Sequence, residues 1–136
     1  MDIELYRAVL ASQPFSVHLG TVLDAIEPGR AQLSLPIKPE LLQQHGFVHG
    51  GAISYLADNA LTFAGGSLLG DSVTLEFKIN YARPAIGPGR LVAEAISVSR
   101  GATQAVCRCD IYVVTEESKK LCAVAQGTIR KVERIS

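Results

Sequence analysis

From Val73 to Tyr81 the chain alternates without a break. Val73, Leu75, Phe77, Ile79 and Tyr81 are apolar or aromatic, and Thr74, Glu76, Lys78 and Asn80 between them are polar. Period two is the signature of a half-buried strand. Residues 30–36 repeat it, with Ala31, Leu33 and Leu35 set against Arg30, Gln32 and Ser34. The Pro28-Gly29 turn joins that run to an earlier strand expected over 17–27. Three more strands are expected near 91–99, 103–115 and 121–132, joined at Arg100-Gly101 and Glu116-Glu117-Ser118. Both connections are short enough for antiparallel hairpins.

Two segments have a different period. Ile3, Tyr6, Val9 and Leu10 lie at helical spacing and predict a short amphipathic helix over about 2–12, stopped near Pro14. The run GGAISYLADNALTFAGGSLL, from Gly50 to Leu69, is small or apolar on nearly every side. A helix of that kind belongs inside a protein. The expectation is one α+β domain over 1–136, with an antiparallel sheet of five to six strands curled around the buried helix. The outer face of the sheet would carry Val92, Val106 and Tyr112, a hint that copies associate.

Composition narrows the function. Thirteen basic residues balance thirteen acidic ones, which argues against a nucleic-acid partner. The N-terminal Met1-Asp2-Ile3-Glu4 has no basic or long apolar region, and no apolar stretch has the length of a membrane span. A cytoplasmic protein without membrane contact is expected. Cys107, Cys109 and Cys122 lack zinc-type spacing and read as buried free thiols, so no metal is expected.

The chemistry concentrates between Gln43 and Thr62. Gly50 and Gly51 open the long helix, whose first N–H groups have no partner within it. Such a start can receive an anion or a developing oxyanion, or can simply be a tight turn. Asp58 sits mid-helix among apolar residues, where a carboxylate needs hydrogen bonds or water. Ser54, Asp58 and Thr62 recur every four residues as one polar stripe. The stripe either faces water or lines a cleft in which Asp58 acts as base or nucleophile. Gly50 and Asp58 stand eight residues apart, about 12 Å along the axis, too far to act on one carbonyl. Two antiparallel copies would pair Gly50 of one with Asp58 of the other, giving a dimer with two equal sites.

The run HGFVHGGAISYLAD resembles the motif of PaaI-like hotdog thioesterases, and NYARPAIGPGRLVAEA with SVSRG resembles their strand-turn-strand segment. The similarity covers about residues 17–132. It implies a hotdog fold and an acyl-CoA thioesterase with Asp58 as nucleophile or general base. By position, the Gly50 N–H would polarise the thioester carbonyl, and Gln43 would contact the thioester or place water. Thr62 matches a hydroxyl near the attacking water in 4-hydroxybenzoyl-CoA thioesterases. His49 matches the family histidine and reads as a loop-shaping residue more readily than a base. His45, in the same loop, could also face the thioester.

Many members carry Asn where this chain has Gln43, so the substrate of neither branch transfers. Coenzyme A would enter as part of the substrate, with no separate cofactor. Its phosphates would need cations, for which Arg100 with Gly101, then Arg83 and Arg90, are candidates beside turns. A homodimer or homotetramer is expected. Rival readings are a non-catalytic acyl-CoA binding module, a thioesterase acting on acyl carrier protein, and a dehydratase. The last would need a His-Phe-Pro-Gly-like loop where this chain has His-Gly-Gly.

Overall fold

The computed structural model describes residues 1–133; the last three residues of the expected domain lie outside them. Three α-helices and six strands follow in the order α1 (Ile3–Ala11), α2 (Pro14–Leu19), β1 (Val22–Glu27), β2 (Arg30–Pro36), α3 (Gly50–Leu69), β3 (Ser72–Tyr81), β4 (Arg90–Arg100), β5 (Gln104–Val114) and β6 (Lys119–Lys131), with a short 3-10 turn at Pro39–Leu41. The strands form one antiparallel sheet in the order β1-β2-β4-β5-β6-β3. It wraps α3 in a hotdog fold.

The centre of α3 presents Leu56, Ala57, Ala60, Leu61 and Ala64, none of them accessible to solvent. Their three- and four-residue spacing makes one continuous apolar face. Leu33, Leu35, Leu91, Ala93, Ile111 and Ile129 close over it from the sheet. Cys107, Cys109 and Cys122 are free and buried in the same core. Burial pushes the thiols of Cys107 and Cys122 up to about 11, and drives that of Cys109 higher still. No helix among the described residues is long and apolar enough to cross a membrane.

Two sequence expectations need correction. Pro14 does not merely stop the first helix; it opens a second. Proline lacks an N–H that the first turn would leave unpaired anyway, so it is favoured at that position. Ser16 on α2 is buried, and its hydroxyl donates to Gln13 Oε1 at 2.6 Å. The first strand therefore begins at Val22 rather than near residue 17.

The second correction concerns β3. Its pairing with β6 slips between Thr74 and Glu76, a β-bulge that makes Leu75 an extra residue. The bulge reverses the phase of the strand. Phe77 and Ile79 still pack against the core, but Val73 and Leu75 each remain 51% exposed. Gly127 on β6 makes this geometry possible, because a Cβ there would collide with the Glu76 carbonyl oxygen and the Phe77 side chain.

On the outer face, Val92 pairs with Ser34 and Tyr112, while Lys119 sits over the Tyr112 ring and binds Glu94 at 2.8 Å. That face is thus laced by its own charged side chains.

Candidate active site

The loop before α3 is tied down at several points. Leu42 bridges Val48, the Gln43 N–H donates to Phe47 O at 2.8 Å, and the His49 N–H donates to Leu41 O at 2.7 Å. The Val48 N–H reaches Ala85 O at 2.9 Å, fastening the loop to the segment after β3. Gln43 Oε1 accepts the His45 N–H at 2.5 Å, which leaves the Gln43 amide NH2 as the part that can reach outward. The His45 ring is exposed and lies beside Phe47.

His49 caps α3. Its Nδ1 accepts the Gly51 N–H at 2.8 Å, so that nitrogen carries no proton. The Ala52 N–H is satisfied by the His49 carbonyl at 2.9 Å. Among the described residues the Gly50 N–H alone in this first turn finds no acceptor. Histidine capping thus gives His49 a structural task and leaves one aligned donor free, where the helix dipole adds positive potential. Tyr81, at the end of β3, donates its hydroxyl to Gly50 O at 3.1 Å and covers the glycine with its ring edge.

Eight residues beyond Gly50 on the same helix, Asp58 is half-buried. Its Oδ1 accepts the hydroxyl of Thr74 at 2.5 Å. Thr62 Oγ1 stands 2.8 Å from Thr74 Oγ1 and 2.9 Å from the Asp58 carbonyl oxygen. Thr74 has one hydroxyl proton and places it on the carboxylate, so the Thr62 proton goes to the Thr74 oxygen or the Asp58 carbonyl. No cation among the described residues pairs with Asp58, and its Oδ2 has no protein partner. The result is a carboxylate held by one oxygen and open at the other.

The structure thus brings Asp58 together with Thr62 and Thr74, and His49 together with Gly50, as two separate clusters on one chain, with Gln43 in the loop that leads to His49. Arg100 lies far from both, at the C-terminal end of α3, where its Nη1 donates to Leu68 O at 3.4 Å. The Gly101 N–H already donates to Gln104 O at 2.8 Å within the β4–β5 hairpin. Arg90 stands 3.6 Å from Asp24 at the other end of β4. Arg83 follows Tyr81 closely, is exposed, and makes no ion pair among the described residues.

Thr74 and Tyr81 are the functional neighbours that sequence reasoning missed. Both were assigned from strict alternation, Thr74 to the solvent side. A threonine facing out of a strand gave no signal; only the bulge turns it toward Asp58.

Residues 45–120 match the family described as the Thioesterase superfamily. Similar solved structures include a thioesterase family protein from Silicibacter pomeroyi, 34% identical with a TM-score of 0.86 over 91% of this chain and 93% of that one. A variant of the phenylacetic acid degradation protein PaaI from Thermus thermophilus is 31% identical, with a TM-score of 0.79 over 88% of this chain and 100% of its own. A thioesterase from Haemophilus influenzae is 27% identical, with a TM-score of 0.82 over 96% of this chain and 90% of that one.

Proposed function

Because the chain belongs to the Thioesterase superfamily and is a thioester hydrolase, we propose that it hydrolyses acyl-CoA at a site shared between two copies. The observation that carries this reading is the pair of unspent groups on α3: the free Gly50 N–H and the open Oδ2 of Asp58. A thioesterase needs one donor for the oxyanion and one carboxylate for the attack.

Asp58 Oδ2 either attacks the thioester carbon or takes a proton from a water that does. In the water route the carbonyl oxygen becomes an oxyanion accepting the Gly50 N–H. Collapse then expels the coenzyme A thiolate, which takes back the proton held by Asp58. In the direct route Asp58 displaces the coenzyme A thiolate to form an anhydride, and water then hydrolyses it to the free acid and the Asp58 carboxylate, the released proton going to the thiolate. Thr74 and Thr62 fix the carboxylate rotamer in both. Tyr81 holds the peptide group that follows Gly50, and the Gln43 amide NH2 donates to the thioester region. Of the three candidate arginines, Arg83 makes no ion pair among the described residues and follows Tyr81 closely, so it suits the phosphates of coenzyme A best.

The eight-residue separation of Gly50 and Asp58, about 12 Å, requires the second copy. β3 supports this pairing. It is an edge strand of ten residues with exposed Val73 and Leu75, and an open edge of that length is a template for another strand. Joining two copies through β3 would set their α3 helices antiparallel.

Free-thiol release from acyl-CoAs and acyl carrier protein, by wild type and Asp58→Asn, tests the chemistry. Release from acyl-CoA that vanishes in the variant is expected. Mixing Asp58→Asn with an inactive Gly50 variant should restore part of the activity, up to about a quarter by statistics of two-chain sites. No restoration despite proven subunit exchange would reject the shared site.

A further inference from the structure

The N-terminal helix leaves a cleft of about 550 Å³ between itself and the second half of α3. Its inner side is anchored: Leu10 is buried, Ile3 and Tyr6 pack on the core, and Arg7 Nε donates to Leu23 O at 3.1 Å. Leu5 and Val9, one turn apart on another side, stay 66% and 52% exposed and line the cleft. Thr62, Phe63 and Gly66 line it from α3. The volume falls in the range of small-molecule pockets.

Two observations mark it as more than a surface irregularity. The first is Gly66. Glycine inside a helix is less stable than alanine and normally has a reason. Its neighbour Gly65 has one, since a Cβ there would meet Ile129 at 2.8 Å. Gly66 has none of that kind, because a Cβ there would meet nothing within 4 Å. A side chain at 66 would fill the cleft.

The second is where the cleft begins. Thr62 lines it and also hydrogen-bonds Thr74, which holds Asp58. Asn59 Nδ2 donates to Gln13 Oε1 at 3.1 Å, so the C-terminal end of α1 lies at the Asp58 end and Leu5 at the far end. From Gln13 to Leu5 on one side, and from Thr62 to Gly70 on the other, the walls run eight residues, about 12 Å.

We propose that this cleft holds the acyl group of the substrate as an extended aliphatic chain, with α1 as its outer wall and Gly66 keeping it open. The inference rests on the thioesterase reading above. Polar groups at the Thr62 end suit a thioester, and the apolar middle of Val9 and Phe63 suits methylenes. Asp71 at the far end disfavours chains that end in a carboxylate.

The test compares kcat/KM on straight-chain acyl-CoAs from acetyl to palmitoyl. Wild type should gain roughly two- to fourfold for each methylene added until the cleft is full. Gly66→Leu should lose about tenfold or more on the long chains and keep acetyl-CoA turnover within about twofold. A flat wild-type series, or an equal effect of Gly66→Leu on all lengths, would overturn the proposal.

A second readout does not need turnover. The chain has no tryptophan, so Leu5→Trp in the Asp58→Asn background provides a single indole at the cleft. Its emission should shift saturably with dodecanoyl-CoA and not with acetyl-CoA. That shift in a protein without wild-type turnover would reject the catalytic reading and leave the cleft standing. No shift, or a shift that follows only protein dilution and so marks a subunit contact, would reject the cleft.

Discussion

Thr74→Val removes one hydroxyl, keeps the side-chain shape, and suits a strand. In the wild type that hydroxyl donates to Asp58 Oδ1 at 2.5 Å, a short contact to an ionised acceptor. Hydrogen bonds to charged groups contribute about 1.5–3 kcal/mol. Asp58 is half-buried, so water can replace part of the lost donor, and the lower figure applies. About 1.5 kcal/mol corresponds to roughly a tenfold fall in kcat, because the carboxylate is no longer held for attack. Thr62 loses its Thr74 partner as well, but its hydroxyl still reaches the Asp58 carbonyl at 2.9 Å, so the helix itself should not move. Steady-state thiol release should therefore show lower kcat with KM within about twofold, and Thr74→Ser should recover most of the loss. Circular dichroism and thermal melting control for folding. A Thr74→Val enzyme with wild-type kcat would show that Thr74 does not position the carboxylate.

Gly127→Ala should destabilise the protein by about 1–3 kcal/mol in urea titrations, since its Cβ meets the backbone of the β3 bulge. It should also lower kcat by displacing Thr74; normal stability with normal activity would remove the link between bulge and site. Single-turnover hydrolysis in 18O-labelled water tests for direct attack, because label enters the Asp58 carboxylate only when water opens an anhydride at the Asp58 carbonyl, and the activated-water route never labels it. Burial raises the thiols of Cys107 and Cys122 from 9.0 to about 11, so the native state holds those protons more tightly than the unfolded chain. Stability should accordingly fall as pH rises from about 9 toward 11. Native protein at pH 8 should react with a thiol reagent only on the timescale of unfolding, and fast modification of either cysteine would contradict their burial.

The long helix was legible because its evidence is local. An apolar run of helical length begins at Gly50-Gly51 and ends before Gly70, and the structure starts and stops α3 at those residues. The four-residue spacing of Asp58 and Thr62 needs only helical geometry to put both on one side. The strands after Gly89 were equally clear from alternation and hairpin turns, within one or two residues of their bounds.

Other features depend on partners distant in sequence. Alternation alone put Val73 and Leu75 on the core side, but a bulge is decided by what the neighbouring strand permits, and Gly127 permits it here. Thr74 was invisible as a site residue for that reason. Pro14 carries the same local signal whether it ends one helix or begins another, and burial of Ser16 among Gln13, Tyr55 and Asn59 selects the second. Arg100 and Gly101 read as a phosphate-binding turn, whereas the helix C-terminus and the hairpin claim their hydrogen bonds.

By itself the sequence determined the first helix, the later strands, the buried helix and the carboxylate on it, because these follow from periods of two and 3.6 residues within a single segment. Only the tertiary structure decided which way Thr74 points, which amide at the helix start stays free, and where α1 leaves its cleft. Those outcomes depend on cross-strand register and side-chain competition between segments far apart in the chain, where no local pattern records the result.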